Sequence, residues 1–198
     1  MEVRTGYKLS EVGVIPADWE TRRLGELGVV VRGGSPRPAG DPRYFNGSFI
    51  PWLTVASLTN IPESQLFVTG TLSRLTKDGA ERSRTLQKGL LVIVNSGAKT
   101  LGVSKVLSIE CCANDGIAAL INQRGGDKRF LCHYLNSQTR RLRENVAAGN
   151  DQLNLNTGRI AEIAVPFPKE AEQRAIAAAL GDVDALLEGA DETHRQEA

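Results

Sequence analysis

At 198 residues, 41% hydrophobic and 24% charged, the chain has the length for one sizeable core and the composition of a water-facing globular domain. Its longest aliphatic run, residues 90–94, is far short of the roughly 20 residues a membrane span needs. The amino terminus has no apolar signal core, so the expected location is the cytoplasm. Three cysteines, two of them adjacent, make no disulfide framework. The net charge of +1 hides an asymmetry. Residues 1–168 hold 21 Lys/Arg against 15 Asp/Glu, a net +6, and residues 169–198 hold 3 against 8, a net −5. A mildly basic body can face phosphates while an acidic tail faces protein, although acidic surface helices are common without such a role.

In chain order, residues 1–26 read as an extended lead-in anchored by Trp19. Residues 27–32, rich in valine, predict a strand. Gly33-Gly34-Ser35-Pro36-Arg37-Pro38-Ala39-Gly40 must be a loop. Residues 49–55 predict a strand in which Pro51 demands an edge or a bulge. Residues 72–81 predict a short helix, and 90–94, 102–108 and 117–121 predict three further strands. Residues 128–147 predict one helix, with Leu131, Leu135, Leu142 and Val146 on one side and Gly149 as its stop.

Residues 150–156 are polar and short-sided, as in a loop, and the apolar run 160–165 predicts a short strand. Pro166 and Pro168 should end any ladder there, because proline lacks the donor N–H. A helix then begins, with Glu170 and Glu172 in the first turn, where the helix dipole favours carboxylates. Ile176, Leu180, Val183, Leu187 and Ala190 follow at steps of four and three, the one-sided seam of a helix that pairs with another helix. Several strands, few helices and one long terminal helix predict an α+β fold with a mixed or antiparallel sheet, not alternating βαβ units. The expected boundary lies near Pro168, giving a body of 1–168 and a helical element of 169–198.

Four constellations carry chemistry worth weighing. Residues 92–100 resemble a phosphate loop after a strand, but Ala98 and Ile93 stand where that loop needs glycine, and the continuation reads as a strand. A hairpin tip carrying Lys99 and Thr100, with Lys105 in the strand beyond, is the better reading, and such a tip fits a DNA groove. Cys112, Cys132 and His133 lack the paired spacing of a metal site, and buried inert cysteine is the better reading. Arg140, Arg141 and Arg143 are either the solvated side of their helix or phosphate contacts. The loops 33–37 and 150–154 carry Ser35, Arg37, Asn150, Gln152 and Asn154. Arginine pairs with the guanine edge through two hydrogen bonds, and Asn or Gln does so with adenine. The plainer account is that Asn and Gly simply make turns. Aromatic residues, at 5%, are too sparse for a single-strand reader, which favours duplex DNA.

The same residues carry a resemblance. Gln152-Leu153-Asn154, Pro166-Phe167-Pro168 and Glu172-Gln173, followed by Ile176, Leu180 and Asp184, are similar to the end of a target-recognition domain in the specificity subunit of type I restriction–modification systems. Gly6-Tyr7-Lys8, residues 11–16 and Asp18-Trp19 resemble the usual opening of that family. Ile50-Pro51-Trp52 and residues 96–102 agree more loosely.

The resemblance implies one target-recognition domain, 1–168, and the start of a helical spacer, 169–198, in a natural half-subunit or a fragment. It implies sequence-specific recognition of part of a split duplex-DNA site, with methyltransferase and restriction subunits as partners. The seam of the terminal helix predicts a second such helix, from another copy, as a homodimer, or from the remainder of a longer chain. No membrane partner is expected. The N-P-P-F/Y motif of the amino-methyltransferases and a glycine-rich cofactor loop are missing from the sequence. Catalysis is therefore expected from a partner, with no cofactor or metal in this chain. Two rival readings are a small Cys/His-dependent enzyme and a protein-interaction module without DNA binding.

Overall fold

The computed structural model describes residues 3–148 and 154–196. It opens with a hairpin, β1 (Tyr7–Ser10) and β2 (Gly13–Pro16), followed by β3 (Glu20–Arg23), the short α1 (Leu24–Leu27) and β4 (Val29–Arg32). Next come β5 (Phe45–Leu53), α2 (Val55–Thr59), β6 (Phe67–Val68), β7 (Ser73–Leu75), α3 (Lys77–Glu81) and β8 (Arg84–Leu86). The central run is β9 (Leu91–Val94), β10 (Ser104–Leu107), β11 (Cys111–Ala113) and β12 (Ile117–Ile121). Helices close the chain: α4 (Lys128–Ser137), α5 (Thr139–Ala148) and α6 (Thr157–Ala161), then the strand β13 (Ala164–Phe167) and α7 (Glu170–Gln196). This is the α+β architecture expected, with mixed sheets and a long final helix.

A five-stranded sheet, ordered β4-β12-β9-β10-β6, lies at the centre, and a four-stranded sheet, ordered β7-β5-β11-β8, covers one of its faces. The side-chain alternation of β9 shows why its sequence is unbroken in apolar residues. Leu91 and Ile93 enter a cluster with Leu131, Cys132, Leu135, Ile160 and Ala177 of the helices, whereas Val92 and Val94 enter a second cluster with Leu53, Leu58, Leu86 and Ala113. A strand buried on both faces has no polar face to show. β12 divides in the same way, with Ala118 and Leu120 facing the helices and Ile117 and Ala119 facing the other sheet.

Several local expectations are corrected. The lead-in is a hairpin plus β3, and Ile15, 5% exposed, is its buried residue, while Trp19 is only half-buried. Residues 72–81 form β7 and then α3, because the Thr76 hydroxyl accepts from Gly79 N at 3.1 Å and starts the helix only there. The helix expected over 128–147 is two. Ser137 Oγ donates to Tyr134 O (2.6 Å) and Thr139 Oγ1 to Asn136 O (3.0 Å), so local side chains compete for the carbonyls at the joint. Gly149 lies outside the described residues.

The run 160–165 is not a strand. Asn156 caps α6 by accepting from Arg159 N at 2.8 Å, and the strand comes later, as β13. Pro166 sits within β13, opposite Thr21 of β3, and does not end the ladder. A two-stranded ribbon leaves alternate N–H groups facing away from the partner, and proline is tolerated there. Pro51 stands in regular register opposite Arg74 of β7, and the register shift of β5 falls before it, between Phe45 and Ile50.

The helix α7 has 27 residues and extends about 40 Å at 1.5 Å per residue. Its opening turns belong to the core by packing. Gln173 is fully buried, donates through Nε2 to Pro168 O (2.8 Å) and accepts at Oε1 from Asp127 N (2.8 Å). Ala177 is 1% exposed in the helix-side cluster. Among the described residues, no helix is long and apolar enough to cross a membrane.

Candidate nucleic-acid interface

Three loops from different parts of the chain meet at the ends of the central strands. The first follows β4. Gly33 N donates to Ile117 O (2.8 Å) and Gly34 N to Ala113 O (2.9 Å), which lays this loop across β12 and β11. A Cβ at Gly33 would collide with the carbonyls of Ala113 and Asn114, so only glycine allows the approach. Beyond it Pro36 is buried and Arg37 is exposed.

The second loop is the turn between β11 and β12, and its centre is Asp115. Ser35 Oγ donates to Asp115 Oδ1 at 2.7 Å, and Arg37 Nη2 reaches Asp115 Oδ2 at 3.3 Å. The backbone carbonyl of Asp115 accepts from Arg32 Nε (2.6 Å) and from Asn95 Nδ2 (3.3 Å). The Ser35 hydroxyl, with Arg32 and Arg37 nearby, holds the Asp115 carboxyl below the usual carboxylate range. It is therefore anionic at neutral pH.

The third loop joins β9 to β10, as the expected hairpin tip. Lys99 is exposed, and Thr100 Oγ1 donates to Ser96 O at 2.9 Å. Asn95, 2% exposed, anchors its base: it holds Asp115, and its carbonyl accepts from Leu155 N at 2.7 Å. Asn154 pairs with Ser96 through an isolated antiparallel bridge.

The structure therefore brings together Ser35, Arg37, Asn154 and the tip carrying Lys99 and Thr100. Asn150 and Gln152 lie outside the described residues. Arg140 is exposed on α5 and pairs with Glu144 at 2.9 Å. The same helix is tied to the third loop, because Arg143 Nε donates to Leu101 O at 3.1 Å.

Lys105 is corrected. It is 2% exposed, and its ammonium donates to the carbonyls of Pro62 (2.8 Å), Glu63 (3.3 Å) and Gln65 (2.6 Å). A cation enclosed in this way is a structural clamp and is not available to a phosphate.

Sequence reasoning missed Asp115, Arg32 and Arg84. Arg84 Nε donates to Arg32 O at 2.7 Å, and both guanidinium groups are exposed beside an open polar hollow of about 430 Å³ that includes Gly33, Gly34 and Thr85. Both guanidinium groups are anchored through backbone carbonyls, and guanidinium donors suit the geometry of a phosphate. A signal for them existed only in the residue types.

The cysteines fall in three separate clusters, Cys132 on the helix side, Cys111 between the sheets and Cys112 beside Trp52. Burial pushes the thiols of Cys111 and Cys132 up to about 12. Alkylation near pH 8 is thus expected to be very slow until the chain unfolds. Rapid labelling of either thiol in the native protein would contradict this burial and revive a Cys-dependent activity.

The chain thus combines mixed sheets, a long terminal helix whose opening turns belong to the core, and a cluster of polar loops at the ends of the central strands. Residues 16–194 match the family described as type I restriction modification DNA specificity domain, and the chain belongs to it. It is 24% identical over 187 residues to the type I restriction enzyme MjaIX specificity subunit of Methanocaldococcus jannaschii, covering 93% of this chain and 42% of that protein. It is 26% identical over 158 residues to the HindI specificity subunit of Haemophilus influenzae, with coverage of 79% and 33%. The fold is shared with the HsdS subunit from Thermoanaerobacter tengcongensis, at a TM-score of 0.66, 21% identity and coverage of 98% and 43%. It is also shared with a chain solved in work on complex assembly and conformational transition of the type I R-M system, at a TM-score of 0.70, 22% identity and coverage of 92% and 43%. The chain spans less than half the length of the curated relatives it matches.

Proposed function

We propose that this chain reads one part of a split duplex-DNA site and holds a separate methyltransferase subunit over it, with a restriction subunit joining the assembly. The observation that carries the reading is the convergence of loops 33–37, 95–102 and 114–116 with Asn154 on a body of net charge +6. Membership of the specificity family supports it. Lys99, Arg140, Arg32 and Arg84 are assigned to phosphates. Ser35, Thr100, Arg37, Asn150, Gln152 and Asn154 are assigned to the base-reading side. The chain itself is assigned no catalysis. The helix after Pro168 is assigned to assembly through the exposed apolar residues beyond Ala177, so that 1–168 and 169–198 act as recognition and spacer parts.

Each neutralised phosphate contributes about −0.9 to the slope of log affinity against log salt. Lys99→Gln and Arg84→Gln should each flatten that slope and leave the preferred sequence unchanged. Gln152→Ala and Arg37→Ala should instead change the preference. Fluorescence anisotropy on duplexes at several salt concentrations measures the first, and selection from a randomised duplex pool the second. If all four variants match the wild type in both, this DNA face is wrong. Co-expression with a methyltransferase subunit, followed by mapping of methylated adenines, tests the whole reading.

A further inference from the structure

Resting on that DNA-reading assignment, we propose that Asp115 is a positioning residue for sequence readout: its carboxylate, fixed by Ser35, aims the Arg37 guanidinium from a neighbouring loop. A carboxylate on a surface that meets phosphates costs affinity by repulsion, so its presence at the centre of the loop cluster calls for an explanation. The hydrogen bonds supply one. One carboxylate oxygen accepts from Ser35 at 2.7 Å and the other takes Arg37 at 3.3 Å. The backbone of the same residue is held by Arg32, Asn95 and Ser35, so the carboxylate stands on a fixed base.

Arg37 is otherwise well placed to reach out. Its side chain is 71% exposed, and that of Asp115 41%. Pro36 on one side is buried and Pro38 on the other restricts the backbone of Arg37, so the main chain is fixed while the long side chain is not. Unaided, such a side chain gives up much rotamer freedom to form a two-bond contact with a guanine edge. A carboxylate that takes one Nη group narrows that freedom beforehand and leaves the remaining donors for the base. An isolated surface ion pair contributes little to stability. The significance of this one lies in direction.

The prediction has two opposite signs. Asp115→Asn keeps an acceptor for Ser35 and removes the charge that holds Arg37. Non-specific duplex affinity should therefore rise about twofold or more, as one like charge leaves the DNA face. Discrimination at the base pair that Arg37 reads should fall about tenfold, within the range for a bidentate contact. Arg37→Ala should lose discrimination at the same base pair, and the double variant should lose no more than Arg37→Ala alone. Ser35→Ala should show a weaker form of the Asp115→Asn effect. Selection of the full chain on a randomised duplex pool, with anisotropy at two salt concentrations and a thermal melt for each variant, reads all of these.

A merely structural role would lower the melting temperature and weaken every duplex equally, and that result overturns the proposal. So does a preference unchanged in Asp115→Asn while Arg37→Ala alters it. Should Asp115→Asn not fold, Asp115→Glu keeps the charge and moves it by one methylene. A shifted preference in the folded Glu variant is the expected result, and a wild-type preference overturns the proposal. A wild-type chain that selects no sequence, alone or with a methyltransferase subunit, removes the DNA-reading assignment and this inference with it. Selection by the wild type with no response at Asp115 removes this inference alone.

Discussion

Replacing Lys105 by methionine is expected to lower the free energy of unfolding by about 3 kcal/mol or more. Methionine matches the length and apolar stem of lysine, so little packing is lost. The carbonyls of Pro62, Glu63 and Gln65, however, lose a shared donor. Pro62 O keeps a second donor, Gln65 N at 3.2 Å, so the loss falls mainly on the carbonyls of Glu63 and Gln65. A buried acceptor left unpaired costs on the order of 1–3 kcal/mol, with hydrogen bonds to a charged group at the upper end, and water reaching the part-buried segment 62–65 recovers some of it. Against a total stability of roughly 5–15 kcal/mol, the variant should be markedly less stable. Urea unfolding by circular dichroism measures the change. A loss below about 1 kcal/mol would show that the three carbonyls find other partners. At a temperature where the variant is folded, its salt slope for DNA should equal that of the wild type, because this lysine contacts no phosphate.

Lys105 also shows where a sequence stops being informative. Its neighbours Ser104 and Val106 promise an alternating hairpin strand, and next to Lys99 a second lysine reads as another exposed cation. The segment 62–65 that encloses it is about 40 residues earlier in the chain, and nothing local in the sequence announces that closure. Asp115 is similar. Nothing in residues 114–116 marks a site, and the partners that give Asp115 meaning come from residues 32–37 and from Asn95. By contrast, Leu91–Val94 and Ile117–Ile121 were legible because both faces of these strands are buried, which leaves an unbroken apolar run. The long final helix was legible for the complementary reason, a one-sided seam repeated over several turns. Pro166 misled because proline forbids a ladder bond only when its missing N–H faces a partner, and that facing depends on the pairing with β3. The role of Gln173 was hidden inside a quoted motif. It links the start of α7 to the N-cap of α4, a contact between residues 46 apart in sequence.

Substituting Leu180→Asp and Leu187→Asp together is expected to abolish pairing of α7 with a partner helix while leaving the recognition fold intact. Position along the helix explains the separation: Gln173, Leu180 and Leu187 are spaced by seven and share one side, and only the opening turns are covered by the body. Gln173 and Ala177 face inward and are buried, and Asp184 is half-buried near His133 at 3.9 Å. Leu180, Val183, Leu186 and Leu187 are 41%, 51%, 75% and 59% exposed, with Ile176 partly buried at the upper edge of the same stripe. Four large apolar side chains on one exposed helical face are more than a surface helix needs. Fully burying such a side chain contributes about 1.5–3 kcal/mol, and covering the parts still exposed here contributes a fraction of that each, enough in sum to offset part of the cost of association. The occupant we expect is a second helix of the same kind, from another copy or from the remainder of a longer chain, with the methyltransferase subunit packing on the pair. An antiparallel pair would set two recognition domains at a fixed separation on DNA, which is how a rigid spacer would measure a split site. Two buried aspartates in that seam should weaken association by at least about 100-fold, since each exchanges apolar burial for a desolvated charge. Light scattering of the whole chain against the double variant measures self-pairing, and co-purification measures the complex with the methyltransferase subunit. The thermal melt of the double variant should stay within a few degrees of the wild type, because neither leucine belongs to a core cluster. A wild-type chain that stays monomeric at high concentration, with or without that subunit, rules out self-pairing. An undiminished complex with the subunit after both substitutions rules out the assembly role of this face.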